Sequence, residues 1–436
     1  MIDPRSCECL SSGLDIFSAP NTKIDIESGK WHEYHPISNL DSGAPIEFYM
    51  SGAGEEYLDL AQSFFTVRAK ILNSDGTNIA DAANVGPVNN FLHSLFSQID
   101  VSLNGKRVSQ PAAANPYRCY LENLLSYGTD AQKSHLLSCQ WRLDTPGHFE
   151  SCDVSDAGSN NGFKHRAKSF KGSKSVDMLG KLHLDLFSQS KYLLNGVDMR
   201  LRFVRSKDAF CLMAATNDFK VVIEKASLFI RRLKLNPSVI VAHASALMKR
   251  NAIYPIRRVD VKSFTIPAGN RSLDKDNLFL GQTPRRVLVA LVTNQAFSGA
   301  SDKNPYRLQN FDINHISLQV NGEDVFGKPL SPNFSETLGY GYTRAFNTLF
   351  SGTSSLFQDK GPTITLNGYR NGYCIFCFDY TPELSDDNTV HLNKTGNAKL
   401  EIRFGTALVS TVNVILYSEF ENKIEIDSAR NVITDF

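Results

Sequence analysis

Cys374-Ile-Phe-Cys377 has the CxxC spacing of half a zinc site, but no second CxxC or HxxxH lies nearby to supply the remaining ligands. The flanking YCIFCFDY reads as a strand, where residues three apart point to opposite faces. Buried structural cysteines are therefore the expectation. WHEYH places His32 and His35 three apart, with no further cysteine or carboxylate cluster to complete a site. GxSxG, GxxxxGK[ST], GxGxxG and HExxH are all missing. So is any HxH pair, the strand-borne motif by which bicupins and copper monooxygenases put two imidazoles on one face. The paired carboxylates Glu55-Glu56 and Asp386-Asp387 sit in polar turns and are expected to be solvated. The sequence thus offers no catalytic, cofactor-binding or metal residue, and no cofactor is expected.

One basic run stands apart. KHRAKSFKGSK carries Lys164, Arg166, Lys168, Lys171 and Lys174, which could neutralise phosphates as a basic interaction loop. Gly and Ser punctuate it and only Phe163 and Phe170 are interleaved, so a solvated loop between strands is the plainer expectation. Arg231-Arg232, Arg257-Arg258 and Arg285-Arg286 alternate with apolar strand residues and read as outer-face or interface positions.

The chain of 436 residues is too long for one ordinary core, and two domains of roughly 200 residues each are the natural division. With 42% hydrophobic and 21% charged residues it is globular rather than disordered. A formal net charge of +1 argues against nucleic-acid binding as the main task. The longest apolar runs, such as RVLVALVTN (286–294), are strand-sized and far short of a membrane span. MIDPRSCECL has neither a basic n-region nor an apolar h-region, so no secretory signal is expected. The eight scattered cysteines, Cys7 and Cys9 among them, then fit a reducing compartment. The sequons at Asn270, Asn333 and Asn393 read as chance matches.

The elements are mostly strands. IDVSLNGKRV (99–108) returns as ISLQVNGEDV (316–325), roughly half a chain later. In each, alternating apolar residues give a strand with one buried and one wet face. Asn104-Gly105 and Asn321-Gly322 then supply the two residues that tolerate positive φ in a type I′ hairpin turn. VDMRLRF (197–203) and AKLEIRF (398–404) close the two halves, followed by VVIEKASLFIRRLKL (221–235) and TVNVILYSEFENKIEI (411–426). NPYRCYLENLLSYG (115–128) predicts a helix capped by Asn115 and stopped by Gly128. NPSVIVAHASALMKR (236–250) predicts a second, capped by Asn236 and opened by Pro237, with Ile240, Ala244 and Leu247 on one face. The division is an N-terminal arm (1–45), a first sandwich (46–236), a linker helix (237–252) and a second sandwich (253–436). The fold class is all-β, with short helices in loops and linker. Periodicity alone does not separate a jelly roll from another sandwich.

The order FLHSLFSQIDVSLNGKRV…NPYRCYLENLLSYG, then VIVAHASALMKRNAIYPIRRVDVKSFTIPAG, then the second Asn-Gly hairpin, resembles the major capsid proteins (hexons) of Polinton/Maverick elements and adintoviruses. The resemblance covers roughly residues 45 to 426. His243, Ala244, Leu247, Tyr254-Pro255 and VKSFTIPAG (261–269) carry most of it. It implies a double jelly roll, two tandem eight-stranded antiparallel sandwiches, related to adenovirus hexons and to virophage and giant-virus capsid proteins. It also implies a structural, non-enzymatic role in the virion. Homotrimers would form pseudo-hexameric capsomers around a double-stranded DNA genome, beside neighbouring capsomers, a single jelly-roll penton and minor capsid proteins. The protein would be made in the host cytoplasm and assembled there or in the nucleus. The arm would reach under a neighbouring capsomer, and loops 73–87 and 351–361 would form outward towers. The alternatives are a two-domain glycan-amidase-like hydrolase, with carboxylates at the domain interface, and a binding module.

Overall fold

The computed structural model describes residues 12–434 apart from 18, 41–42, 111–112, 156, 217, 280, 336–340, 360, 383–390 and 393. Cys7, Cys9, Asp386, Asp387 and Asn393 lie outside the described residues.

The first half builds β1 (Ile26–Tyr34), β2 (Ile46–Met50), β3 (Tyr57–Asn73), β4 (Phe96–Leu103), β5 (Lys106–Arg107), β6 (Val176–Lys181), β7 (Met199–Arg205) and β8 (Phe219–Leu235). The second builds β9 (Ala252–Ile266), β10 (Ser272–Lys275), β11 (Arg286–Thr293), β12 (Ile313–Val320), β13 (Glu323–Asp324), β14 (Ile375–Asp379), β15 (Ala398–Phe404) and β16 (Val412–Ile426). The first half pairs them as β1-β8-β3-β6 and β2-β7-β4-β5, the second as β9-β16-β11-β14 and β10-β15-β12-β13. Each of these eight strands of the second half sits where its counterpart in the first half sits; outside this scheme, Val432–Thr434 adds a fifth strand beside β16, and Val85–Pro87 pairs with Leu212–Ala214. Two four-stranded sheets in this Greek-key order are a jelly roll, and the chain is a double jelly roll.

Alternation drives the packing. Along β7, Met199, Leu201 and Phe203 are buried and Arg200 is exposed; along β15, Ala398, Leu400, Ile402 and Phe404 are buried. Inside the first sandwich Phe65 of one sheet meets Phe96 and Phe203 of the other. One apolar core runs through both halves.

Three expectations need correction. The stretch given to an arm contains β1, an edge strand paired with β8 from Ile26–Leu235 to Tyr34–Leu228. Its burial shows no alternation, so hydrophobic periodicity could not find it. The polar faces of the two repeated strands are not simply wet. Asp100 is buried because Arg107 and Gln98 hold its carboxylate, and Ser317 because its hydroxyl donates to Asp324 at 2.6 Å. Finally, Asn115 does not cap its helix, α1 (Asn115–Ser126). It lies inside the first turn, and its Nδ2 donates to the Phe96 carbonyl at 3.0 Å.

The insertion between β5 and β6 carries α1 and α2 (Asn161–Ser169); between β8 and β9 runs α3 (Pro237–Leu247). The insertion between β13 and β14 carries α4 (Thr343–Gly352). Asn236 does cap α3, its Oδ1 accepting from Ser238 N–H at 3.0 Å.

Candidate functional site

The two predicted turns fall between β4 and β5 and between β12 and β13, the same place in each jelly roll. Asn104 and Gly105 take φ of 46° and 80°, Asn321 and Gly322 of 52° and 86°, the left-handed pair a type I′ turn requires. The asparagine does more than turn the chain. Asn104 N–H donates to the Asp198 carbonyl at 2.9 Å, and Asp198 N–H donates back to Asn104 Oδ1 at 2.8 Å. Asn321 and Asn397 repeat this, both bonds at 2.9 Å. Each turn is thus clamped to the start of the neighbouring strand, β7 or β15. Asn104 Nδ2 also donates to the Arg430 carbonyl at 2.8 Å, tying the first hairpin to the C-terminal segment.

The basic run is not a loop. Its first part is α2, capped by Asn160, whose Oδ1 accepts from Phe163 N–H at 3.3 Å. Arg166 is fully buried and pairs with buried Asp144 at 2.7 Å. It is a structural residue, with no phosphate contact open to it. Lys164 is half-buried, while Lys168, Lys171 and Lys174 stay exposed. Sequence reasoning missed this because Asp144 lies far outside the run.

Asp144 is the centre of a clasp between the halves. From the first half, Arg166 and Asn160 bind its Oδ1; from the second, Asn304 Nδ2 donates to Oδ2 at 3.1 Å. Tyr373 OH donates to its carbonyl at 2.7 Å. Beside it Tyr306 stacks on Tyr120, centroids 4.0 Å apart, and meets Ser94 Oγ at 2.5 Å. Burial pushes the Tyr306 and Tyr373 phenols well up. The missed signal here is a repeat: Asn115-Pro116-Tyr117-Arg118 recurs as Asn304-Pro305-Tyr306-Arg307, and Tyr117 and Tyr306 meet edge to face.

A second polar cluster lies along the same seam. Arg118 bridges Glu122 at 2.8 Å and Asp185 at 2.7 Å, while Asp185 also accepts from Val259 N–H of the second half. Glu122 binds His183 Nδ1 at 2.6 Å and Tyr417 OH of the second half at 3.4 Å. Burial opposes the charged form of Glu122, but Arg118 and His183 outweigh it and hold its carboxyl below the usual range. Burial wins at Asp185, whose carboxyl is raised despite Arg118.

Cys374 and Cys377 are buried and free, and burial pushes the Cys377 thiol up to about 12. His32 and His35 are exposed at the end of β1. Among the described residues, the side chains that could jointly hold a metal are His93, Cys119 and His183.

The largest contrast is on the sheets' outer faces. The outer face of β9-β16-β11-β14 is covered. α1 sets Leu121 and Leu125 against Leu288 and Tyr417, around a cavity of 260 Å³ that Thr353 and Ser355 also line. α4 presses Gly352 onto Cys377 so closely that a Cβ there would sit 2.1 Å from the sulfur. Among the described residues, the equivalent face of β1-β8-β3-β6 is largely uncovered, with Ser138 at its β6 edge donating to the Leu179 carbonyl at 2.8 Å. Phe64 stacks on Phe229, with centroids 5.0 Å apart. Trp31 lies 49% exposed beneath the Arg231 guanidinium, and Leu179 is exposed nearby. Glu33, Arg68, Asp177 and Lys225 rim a shallow groove there.

No protein-family model matches the chain. It is 22% identical to the uncharacterized protein F54H12.2 of Caenorhabditis elegans over 440 residues, covering 95% of this chain and 99% of that protein. Solved structures that share its architecture at low identity include the following two. A chain of the Sputnik virophage matches with a TM-score of 0.66 at 10% identity, over 99% of this chain and 93% of that one. The mavirus major capsid protein matches with a TM-score of 0.54 at 12% identity, over 100% and 95%. At these identities the likeness establishes the double jelly-roll fold. Among the described residues no helix is long and apolar enough to cross a membrane.

Proposed function

We propose that the protein is a structural major capsid protein, whose trimers form pseudo-hexameric capsomers that tile an icosahedral shell around double-stranded DNA. The observation that carries this is the unequal covering of two equivalent sheets. Within one chain, the first jelly roll's insertion lies on the outer face of the second. Repeating that contact between chains would seat a second jelly roll on the bare face of the next chain's first. Three such contacts close a ring of six similar sandwiches, a heterologous interface that ends in a closed trimer rather than a filament. The bare face has the composition such a contact needs, aromatic residues at the centre and charges at the rim. Phe357, 98% exposed in the second half's insertion, is an apolar tip with no cover of its own.

The shared fold with a major capsid protein supports this reading. The segment order quoted above favours a Polinton/Maverick or adintovirus hexon within that class. The division into arm, two jelly rolls and linker helix belongs to the proposal, with Ile26–Tyr34 moved from the arm into the first jelly roll. So do the virion location, assembly in the host cell, the tower loops, the penton and minor-protein partners, and DNA contact through Lys164, Lys168, Lys171 and Lys174. The role involves no enzymatic turnover. A hydrolase would need free carboxylates at the domain interface, whereas Asp144, Glu122 and Asp185 are each tied to an arginine there.

Size-exclusion chromatography with light scattering tests the proposal, with negative-stain images of the same peak. A particle of three times the 48.5 kDa chain mass with a hexagonal outline, or closed shells, is the expected result. A stable monomer at high concentration would overturn it.

A further inference from the structure

We propose that His93, Cys119 and His183 form a buried zinc site in the first jelly roll, beside the seam. This inference stands apart from the capsid reading. His93 comes from the short helix Phe91–Ser94, Cys119 from α1, and His183 from the segment just after β6. All three are buried, and one donor atom from each lies within 4.8 Å of the others. Zinc bonds of about 2.0–2.3 Å would set tetrahedral ligand atoms roughly 3.3–3.8 Å apart, so the set closes by about an ångström on loading.

Two further observations favour a metal over a plain polar cluster. The His93 ring is buried edge to face on His183, centroids 4.7 Å apart, and its Nδ1 has no hydrogen-bond partner. A buried nitrogen without a partner is uncommon and calls for an explanation; a metal ion is one. On the other side, Glu122 occupies His183 Nδ1 at 2.6 Å. That bond fixes the tautomer with the proton on Nδ1 and leaves the Nε2 lone pair for a metal, the carboxylate–histidine–zinc arrangement.

Charge fits a divalent ion. Arg118 is one cation set against two carboxylates, Glu122 and Asp185. Binding exchanges a proton for the metal: the S–H bond breaks, the thiolate pair bonds zinc, and the proton leaves to solvent. Zinc and thiolate together add one positive charge, which balances the excess carboxylate. Two imidazoles and a thiolate suit zinc among the common cations. Three protein ligands leave one coordination position for water.

The test uses the full chain, purified reduced, dialysed against metal-free buffer and then loaded with zinc. Elemental analysis after gel filtration is expected to give one zinc per chain. X-ray absorption at the zinc edge is expected to show one sulfur among nitrogen or oxygen ligands. Cobalt loading should give a thiolate charge-transfer band that Cys119→Ser removes. Glu122→Gln keeps the ligands but should weaken zinc binding by roughly tenfold to a hundredfold. Folded wild-type protein that takes up no zinc or cobalt would overturn the site. So would a sulfur-free zinc shell, or full zinc occupancy in both Cys119→Ser and His93→Gln. The absorption measurement needs no variant, so a variant that fails to fold still leaves the site decided.

Discussion

The two jelly rolls have one topology and opposite surfaces. In the second, Leu288 and Tyr417 on the outer sheet face are sealed beneath α1, and Cys377 beneath α4. In the first, Trp31 is exposed and Phe64 and Phe229 are half-buried on the corresponding face. The difference lies in the insertions rather than in the strands. If the proposed trimer forms, the repeated fold carries one interface twice, once satisfied inside the chain and once left for another copy. On that reading the seam is the satisfied version.

Breaking the seam should therefore have the largest effect. Asp144→Ala leaves buried Arg166 without its counter-charge and removes the acceptor for Asn160 and Asn304. Losing one partner of a buried ion pair costs about 3–5 kcal/mol. Urea unfolding at fixed protein concentration should show that loss; a change under about 1 kcal/mol would mean the clasp is dispensable.

The two outer faces can then be set against each other. Trp31→Glu with Phe229→Glu should leave the monomer folded and weaken self-association by roughly thirtyfold or more, the scale of an aromatic hot spot. Leu288→Glu on the covered face should instead unfold the chain, because an unpaired charge would be buried. Circular dichroism and light scattering on both variants give the answer. If both substitutions unfold the chain, or neither alters association, the bare face is not the contact.

A smaller effect is expected where α4 meets its sheet. Gly352→Ala pushes a methyl group into Cys377 Sγ and should cost about 1–3 kcal/mol by overpacking. Thermal unfolding would register it. Gly105→Ala meets no atom within 4 Å, so any cost there comes from its φ of 80°.

Much of this architecture was legible in the chain. Ile99, Val101 and Leu103 before Asn104-Gly105, and Ile316, Leu318 and Val320 before Asn321-Gly322, announce two strands and two turns through local pattern alone. Asn236-Pro237 announces α3 in the same way. What pattern could not show is what lies against these elements. α3 is apolar enough to read as a core helix, yet none of its residues is buried; Val241 is 69% exposed, and Met248 just past its end is 80% exposed. Arg166 reads as one cation among five, because its partner comes from a distant loop. β1 has no periodicity to detect, since it lies at a sheet edge with both faces largely wet. The histidines and cysteine of the proposed zinc site are far apart in sequence and meet only when α1 packs against the helix Phe91–Ser94. Local rules find the strands and turns; partners set by long-range packing leave no local trace.

The repeated hairpin offers the finest comparison, because its two turn asparagines share one clamp and Asn104 adds a bond to the Arg430 carbonyl. Asn104 and Asn321 hold the same left-handed backbone and clamp the same neighbouring strand. Replacing either by alanine loses the side-chain acceptor and strains the positive φ, so each should cost about 1–2 kcal/mol. Aspartate is different. Asp-Gly also makes a type I′ turn, and a carboxylate oxygen still accepts from Asp198 or Asn397. Asn321→Asp should therefore be nearly silent in thermal unfolding. Asn104→Asp removes the Nδ2 donor to the Arg430 carbonyl and sets a second carboxylate beside Asp198. It should be the more costly of the two, by about 1 kcal/mol. Equal melting temperatures for the two aspartate variants would show that the bond to Arg430 contributes nothing. The two hairpins would then be interchangeable in energy as well as in shape.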